Sequence, residues 1–205
     1  MSSFCLSKIN KKSTKEAFQE KLFTFQNRSC FQSLLWGYLV EVFEAIEKRT
    51  SIRQFLPRKV AAYTLDKILY AGTQAPNAFN SEPWEFILVK EEKLRAQLAD
   101  MRKKAPEQQK AIETAPVIVV VCYNKKLGDE AVGSTYACIE NMLLAATAEG
   151  LAGVTLTFHG KKIMDMFAIP DGFDVAAVIP MGYPAECPEK PSRVAVRDKT
   201  HIDKF

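Results

Sequence analysis

Two short segments of this chain hold residue types able to grip a phosphorylated, nitrogen-rich ligand. The first, Arg49-Thr50-Ser51-Ile52-Arg53, packs two guanidinium groups and two hydroxyls into five residues. Guanidinium forks match phosphate oxygens bidentately and stay charged at any physiological pH, and the hydroxyls add donors between them. The same residues also suit a solvated helix end, where arginine is favoured by the helix dipole. The second segment runs from Ala75 to Phe86 and is bounded by Pro76 and Pro83. Within it, Asn80 offers a donor and an acceptor on one side chain, the complement of the pyrimidine-like edge of a flavin. Asn77 and Asn80 are equally suited to turns beside the two prolines. Trp84 and Phe86, two residues apart, share a strand face and read as packing anchors. Together the two segments suggest a flavin site.

Other chemistries find less support. His159 and His201 are the only histidines, so a histidine-rich metal site is not available. A Ser-His-Asp or Cys-His nucleophile would need one of them together with partners the sequence does not place. Cys5, Cys30, Cys122, Cys138 and Cys187 are odd in number, widely spaced and never paired as CxxC, which argues against a disulfide framework and a structural zinc. A reducing cytoplasm is the simplest setting. The net charge of +4 is concentrated at one end. Of 28 basic and 24 acidic residues, six basic and two acidic stand in residues 1–40, which leaves 22 of each in the rest. A neutral body lacks the electrostatic footprint of nucleic-acid binding.

The elements that must position these residues follow from apolar spacing in a chain of 205 residues, 47% hydrophobic and 25% charged, enough for one domain with a core. Residues 1–40 read as a basic extension outside the core: a polar basic stretch to Arg28, then an apolar run from Phe31 to Val40 too short to span a bilayer. A secretory signal, an interfacial or packing arm, and a tail of little consequence with a natural start near Val40 all fit it. Residues 41–205 form the expected domain. Val42, Phe43 and Ile46 predict a helix over 41–49 that delivers the basic cluster at its end. A second helix is predicted from Leu65 to Gln74, with Thr64 as N-cap and Leu65, Ile68 and Leu69 buried. Strands are expected at Trp84–Val89, Pro116–Cys122, Leu151–Phe158 and Val175–Met181, and the second, apolar on both faces, should be central. Glu91–Lys104 reads as a solvated amphipathic helix. Ser134–Glu149 is a helix apolar around most of its circumference, so buried in a core or against another subunit, with Gly150 closing it. A short helix at Lys161–Phe167 and a charged, proline-containing tail from Ala185 complete the chain.

At this point the chain resembles the FMN-dependent nitroreductase family. Members open with a helix like Val42-Phe43-Glu44-Ala45-Ile46, then a basic-basic-Ser-hydrophobic-basic cluster, matched by Arg49 to Arg53. An Ala-Pro-small-x-x-Asn-x-Gln-Pro-Trp loop follows, matched by Ala75 to Trp84. Ala137-x-x-Glu140-Asn141-Met142 with Gly150-Leu151 resembles the family's long central helix and its exit, and Gly182-Tyr183-Pro184 with Lys190 and Arg193 resembles its C-terminal end. The match runs in order over about residues 41–200, and the pieces carry weight together rather than singly.

The resemblance implies an α+β fold, a mostly antiparallel sheet flanked by helices, in an intertwined homodimer with FMN at two interface sites. Carried over by position, Arg49 and Arg193 would hold the FMN phosphate, with Lys190 as a substitute for a second lysine. Ser51 and Thr50 would reach phosphate or ribityl oxygens, and Arg53 would sit near the N1/O2 edge and raise the reduction potential. Pro76, Asn77 and Ala78 would contact the flavin through backbone and Asn80 through its side chain. The N–H groups of Thr157 and Phe158 would face N5 and O4. No side chain is expected to act as catalytic acid or base. The implied activity passes hydride from NAD(P)H through flavin to nitroaromatics, quinones or a similar electron-poor small molecule, with ping-pong kinetics. A specialised reductase or dehydrogenase acting on an activated ring or olefin, and a flavin-binding module without turnover, stay open. The chain departs from the pattern at Thr50 (usually Arg or His), Glu82 and Glu140 (usually Gln) and Pro191 (often Lys). Its short connection from Tyr123 to Ser134 lacks the insertion that roofs larger members.

Overall fold

The structure, a computed structural model, describes residues 41–205, so the readings made for residues 1–40 and the boundary after them lie outside the described residues. The uninterrupted β-branched run in Val117–Asn124 settles the centre of the domain. A strand apolar on both faces is stable only when covered on both. Four strands, β1 (Trp84–Leu88), β2 (Val117–Asn124), β3 (Ala152–Gly153) and β4 (Phe173–Gly182), form one antiparallel sheet in the order β1-β2-β4-β3. β2 is interior, as expected. Ile118, Val120 and Cys122 face one layer, and Val119 and Val121 the other. Burying each such side chain contributes about 1.5–3 kcal/mol relative to leaving it in water.

Six helices cover the two faces: α1 (Val42–Lys48), α2 (Ala62–Thr73), α3 (Glu92–Asp100), α4 (Pro106–Thr114), α5 (Glu130–Ala148) and α6 (Lys161–Met166). Leu98 of α3, Ile112 of α4 and Ile163 of α6 join the first layer. Ile68 of α2 and Ile139 and Met142 of α5 join the second, where Trp84 is also buried. The fold is therefore α+β, with helices on both sides of an antiparallel sheet. Register slips once, between Val121 and Cys122, leaving Ala176 as the extra residue of a bulge. The Tyr136 hydroxyl donates to the carbonyl of Ala176 at 3.0 Å.

The α5 helix ends as its sequence predicts. Gly150 takes a left-handed φ of 74°, its N–H donates to the carbonyl of Thr147 at 3.1 Å, and the Leu151 N–H reaches back to Ala146 at 2.8 Å. This is the paired closure that glycine permits without a Cβ penalty.

Three expectations are corrected. The second helix begins at Ala62, with Ala61 rather than Thr64 as its extended N-cap and no side-chain cap. Val60, buried just before it, anchors the start through packing rather than through a hydroxyl. The segment 101–115 contains a second helix, α4, with Pro106 in its first turn, where the missing N–H is no loss. Only Ala111 and Ile112 of α4 are buried, too sparse a stripe for sequence periodicity to register. Finally, the strand expected over Leu151–Phe158 pairs regularly only at Ala152–Gly153, with an isolated bridge from Leu156 to Val178. The Val154 N–H donates to the Pro180 carbonyl at 3.2 Å, but Pro180 has no N–H to return and the ladder breaks there.

Candidate functional site

The basic cluster sits where α1 ends. Arg49 is the C-cap residue of α1, and its N–H closes the helix on the carbonyl of Ala45 at 2.9 Å. The chain then runs extended, with Ile52 and Phe55 in the core and Arg49, Thr50, Ser51 and Arg53 half-buried beside them. Ser51 forms a parallel bridge with Gly153, and the Ile52 N–H donates to the Gly153 carbonyl at 3.3 Å. On its other side the segment is held by the chain leaving β4. Leu56 N–H donates to Tyr183 O and Ala185 N–H to Gln54 O, both at 2.9 Å. One oxygen of Glu186 accepts the N–H of Arg53 at 2.5 Å and of Gln54 at 3.2 Å. Neutral backbone donors on a carboxylate make charge-assisted bonds, stronger than ordinary ones.

This clamp brings the C-terminal cations to the N-terminal ones. The Lys190 ammonium donates to the carbonyls of Ile46, at 3.4 Å, and Glu47 at the end of α1. Burial, and then the neighbouring charges of Arg49 and Arg193, hold Lys190 below the ordinary lysine value, with Glu47 opposing. Lys190 is thus close enough to both arginines to feel their charge. Arg49 Nε also lies 3.5 Å from Glu140 of α5, and Arg53 Nε 3.9 Å from Glu107 of α4. Three convergent cations with the hydroxyls of Thr50 and Ser51 alongside make a site that a phosphate dianion would relieve of its own repulsion.

The 76–82 loop is built differently. Ala75 is buried, but Pro76 and Asn80 are exposed and Phe79 is 98% exposed. Phe79, Asn80 and Glu82 take φ values of 56°, 52° and 43°, a region that costs non-glycine residues about 1–3 kcal/mol each. The side chain of Asn77 holds the loop together: Nδ2 donates to Ala75 O at 3.2 Å and Oδ1 accepts from Glu82 N–H at 2.8 Å. One N–H and one lone pair of this amide are thereby taken up within the loop. The Ala78 N–H donates to Ser134 Oγ of α5 at 3.4 Å. Among the described residues the Asn80 side-chain amide makes no hydrogen bond, while its backbone N–H donates to Asn77 O at 3.3 Å, and no hydrogen bond, ion pair or bridge joins this loop to the 49–53 cluster.

Thr157 and Phe158 form the third part. Beyond the bridge at Leu156 the chain leaves the sheet, and among the described residues neither their N–H groups donate to a protein acceptor. The Phe158 ring is buried, and the Arg102 guanidinium lies 3.8 Å above its centroid. Nη2 of Arg102 donates to the carbonyl of Thr157. The buried thiols of Cys122 and Cys138 are poor nucleophiles. Burial, with Asp174 and Glu85 adding to it, pushes the Cys122 thiol up to about 11, and burial takes Cys138 to about 12. Both stay protonated at neutral pH.

A family model described as the nitroreductase family matches residues 46–183. The chain belongs to the nitroreductase family. A Methanothermobacter thermautotrophicus protein provisionally named NADH dehydrogenase/NAD(P)H nitroreductase is 33% identical over 177 residues, covering 81% of this chain and 88% of that one. The crystal structure of a nitroreductase family protein from Clostridium novyi NT superposes with a TM-score of 0.67 at 30% identity, covering 71% of this chain and 87% of the other. An oxidised iodotyrosine deiodinase bound to FMN and 3-iodo-L-tyrosine shares the fold, with a TM-score of 0.72 at 21% identity over 80% of this chain and all of that one.

For this nitroreductase family member, the structure draws the 49–53 cluster, Lys190 and Arg193 into one place and sets Ser51 beside the strand that leads to Thr157. Among the described residues it leaves the Pro76, Asn77, Ala78 and Asn80 loop apart, tied to α5 through Ser134. Sequence reasoning missed Glu186, Glu107, Ser134 and Arg102, whose roles arise from contacts across 50 or more residues with no local motif.

Proposed function

We propose that this chain is an NAD(P)H-dependent FMN oxidoreductase. The observation that carries this reading is the clamp that gathers Arg49, Lys190 and Arg193 around two hydroxyl residues. It supports a phosphate site at one end, and the acceptor-less amides of Thr157 and Phe158 suit a flavin ring edge at the other. Arg49, Arg193 and Lys190 hold the phosphate, and Ser51 and Thr50 hydrogen-bond to phosphate or ribityl oxygens. Arg53 lies at the N1/O2 edge, where its fixed charge favours the electron-rich form. Pro76, Asn77 and Ala78 present backbone and Asn80 its free amide. Bound FMN supplies the two-electron relay between nicotinamide and acceptor, and the protein supplies position and field. No side chain transfers a proton. Donor and acceptor take turns at one face, giving ping-pong kinetics, and the acceptors are nitroaromatics, quinones or similar electron-poor molecules.

The separation of the Asn80 loop from the arginines supports a homodimer in which two copies complete two sites. Val42, Phe43 and Ile46, exposed along α1, give such a dimer apolar surface. Among the described residues no helix is long and apolar enough to cross a membrane, and the cytoplasm is the setting we propose. The short connection between Tyr123 and Ser134 favours, as a second reading, a specialised reductase for an activated ring, the kind of substrate seen in the deiodinase of the same fold.

An anaerobic visible spectrum tests the proposal. The purified protein, supplied with FMN, should show a flavin spectrum that bleaches with NADH or NADPH and returns with a quinone or nitroaromatic. Binding without bleaching would make it a flavin-storing or sensing module. A protein that stays colourless with added FMN would overturn the reading.

A further inference from the structure

Arg102 lies in the turn between α3 and α4, far in sequence from every residue assigned above, yet its side chain ends on the Thr157–Phe158 peptide. Nη2 donates to the Thr157 carbonyl, and the guanidinium plane covers the Phe158 ring at 3.8 Å. Its Nε–H is buried with no acceptor among the described residues. An apolar side chain would cover Phe158 as well without stranding that donor, so packing alone does not account for an arginine here. The peptide it touches matters more than the ring. The Thr157 carbonyl and the Phe158 N–H belong to one planar unit, and that peptide is trans. In a trans peptide the two groups point to opposite sides, so a cation on the carbonyl fixes the N–H facing away from it. Drawing electron density toward the carbonyl oxygen also makes that N–H a stronger donor.

We propose that Arg102 is a positioning residue, which orients and polarises the Thr157–Phe158 peptide so that the Phe158 N–H serves the O4 oxygen of bound flavin, where negative charge builds up on reduction. This rests on the FMN reading given above. Glu107, in the first turn of α4 just after it, lies 3.9 Å from Arg53, the other proposed ring contact. The turn and the start of α4 therefore border the ring at two points, and residues 101–107 set its field from outside the binding motifs. The effect is on the preference for reduced over oxidised flavin, not on retention of the phosphate.

The test compares the flavin reduction potential of the full-length protein with those of Arg102→Met and Arg102→Lys, measured against a reference dye. Thermal melting and the affinity ratio of FMN to riboflavin are recorded for each. Met keeps the stem over Phe158 but loses the charge and the donor. Its preference for reduced over oxidised FMN should fall about tenfold, as expected for one charge-assisted hydrogen bond, a drop of about 30 mV for a two-electron couple. Lys should restore at least half of that, and the FMN-to-riboflavin ratio should stay at the wild-type value in both. A wild-type potential in a folded, flavin-loaded Met variant would overturn the role of Arg102. If Met does not fold, Arg102→Gln keeps a donor to Thr157 without the charge, and a wild-type potential there would overturn it equally. Wild-type protein that takes up no FMN would sink the site reading itself, a different outcome from either.

Discussion

The basic end of the site and the 76–82 loop are held in opposite ways. At the basic end, backbone pairing between residues 54–56 and 183–185, the two-donor clamp on Glu186 and the reach of Lys190 to α1 fix the cations from several directions. The loop is held from within by the Asn77 side chain and two backbone turn bonds, Asn80 N–H to Asn77 O and Ser81 N–H to Ala78 O, has among the described residues one external tie, through Ser134, and carries three non-glycine residues at positive φ. One region is organised before any ligand arrives. The other keeps its exposed amide and its strain for a contact made from outside, the arrangement expected where a site is completed by a second body. Mutual repulsion among cations is tolerable because the backbone around them does not depend on the ligand.

The largest effect should come from Arg49→Ala. A charge-assisted phosphate contact is worth about 1.5–3 kcal/mol, so FMN affinity should fall by about tenfold to a hundredfold while riboflavin affinity hardly moves. Fluorescence titration with both ligands reads this directly, and unchanged FMN affinity would remove Arg49 from the phosphate. Next in size, Glu186→Ala leaves two half-buried N–H groups to water. We expect a loss of about 1 kcal/mol, or about 2–4 °C in Tm for a domain of this size, with a few-fold loss of FMN affinity. Glu186→Gln, whose amide oxygen still accepts, should recover most of it; equal losses in both variants would mean that charge rather than the hydrogen bonds matters there. The smallest effect belongs to the loop. Asn77→Ala should cost only about 0.5 kcal/mol of stability but raise hydrogen exchange at the Glu82 amide several-fold. Protection that survives the substitution would show the loop to be held by something else, and would blur the contrast between the two regions.

The layout of the sheet was legible because β2 is apolar on every residue from Val117 to Val121, a pattern only an interior strand supports. The α5 stop was legible because Gly150 followed by Leu151 encodes its own hydrogen-bonded closure. The start of α2 was not, since Thr64 has the chemistry of a cap while packing of Val60 sets the true boundary. Nor was the interruption after Gly153, since a proline on the neighbouring strand, Pro180, causes it. In the candidate site, the basic cluster and the Asn loop carried visible signals in residue type and spacing. Glu186, Arg102 and Glu107 carried none, each being an ordinary surface residue until the fold brings it to its partner.

By itself, then, the sequence determined which residues can meet a phosphate and an amide-rich ring edge, and which runs must be buried. Charge, hydrogen-bonding capacity and apolar periodicity are local properties that survive in the unfolded chain. Only the tertiary structure decided that Lys190 and Arg193 join Arg49, that a carboxylate pins the segment between them, and that Arg102 reaches the Thr157 carbonyl. Those depend on where β4 and the α3–α4 turn deliver the chain, a distance relation between residues 55 to 143 apart that no local pattern encodes.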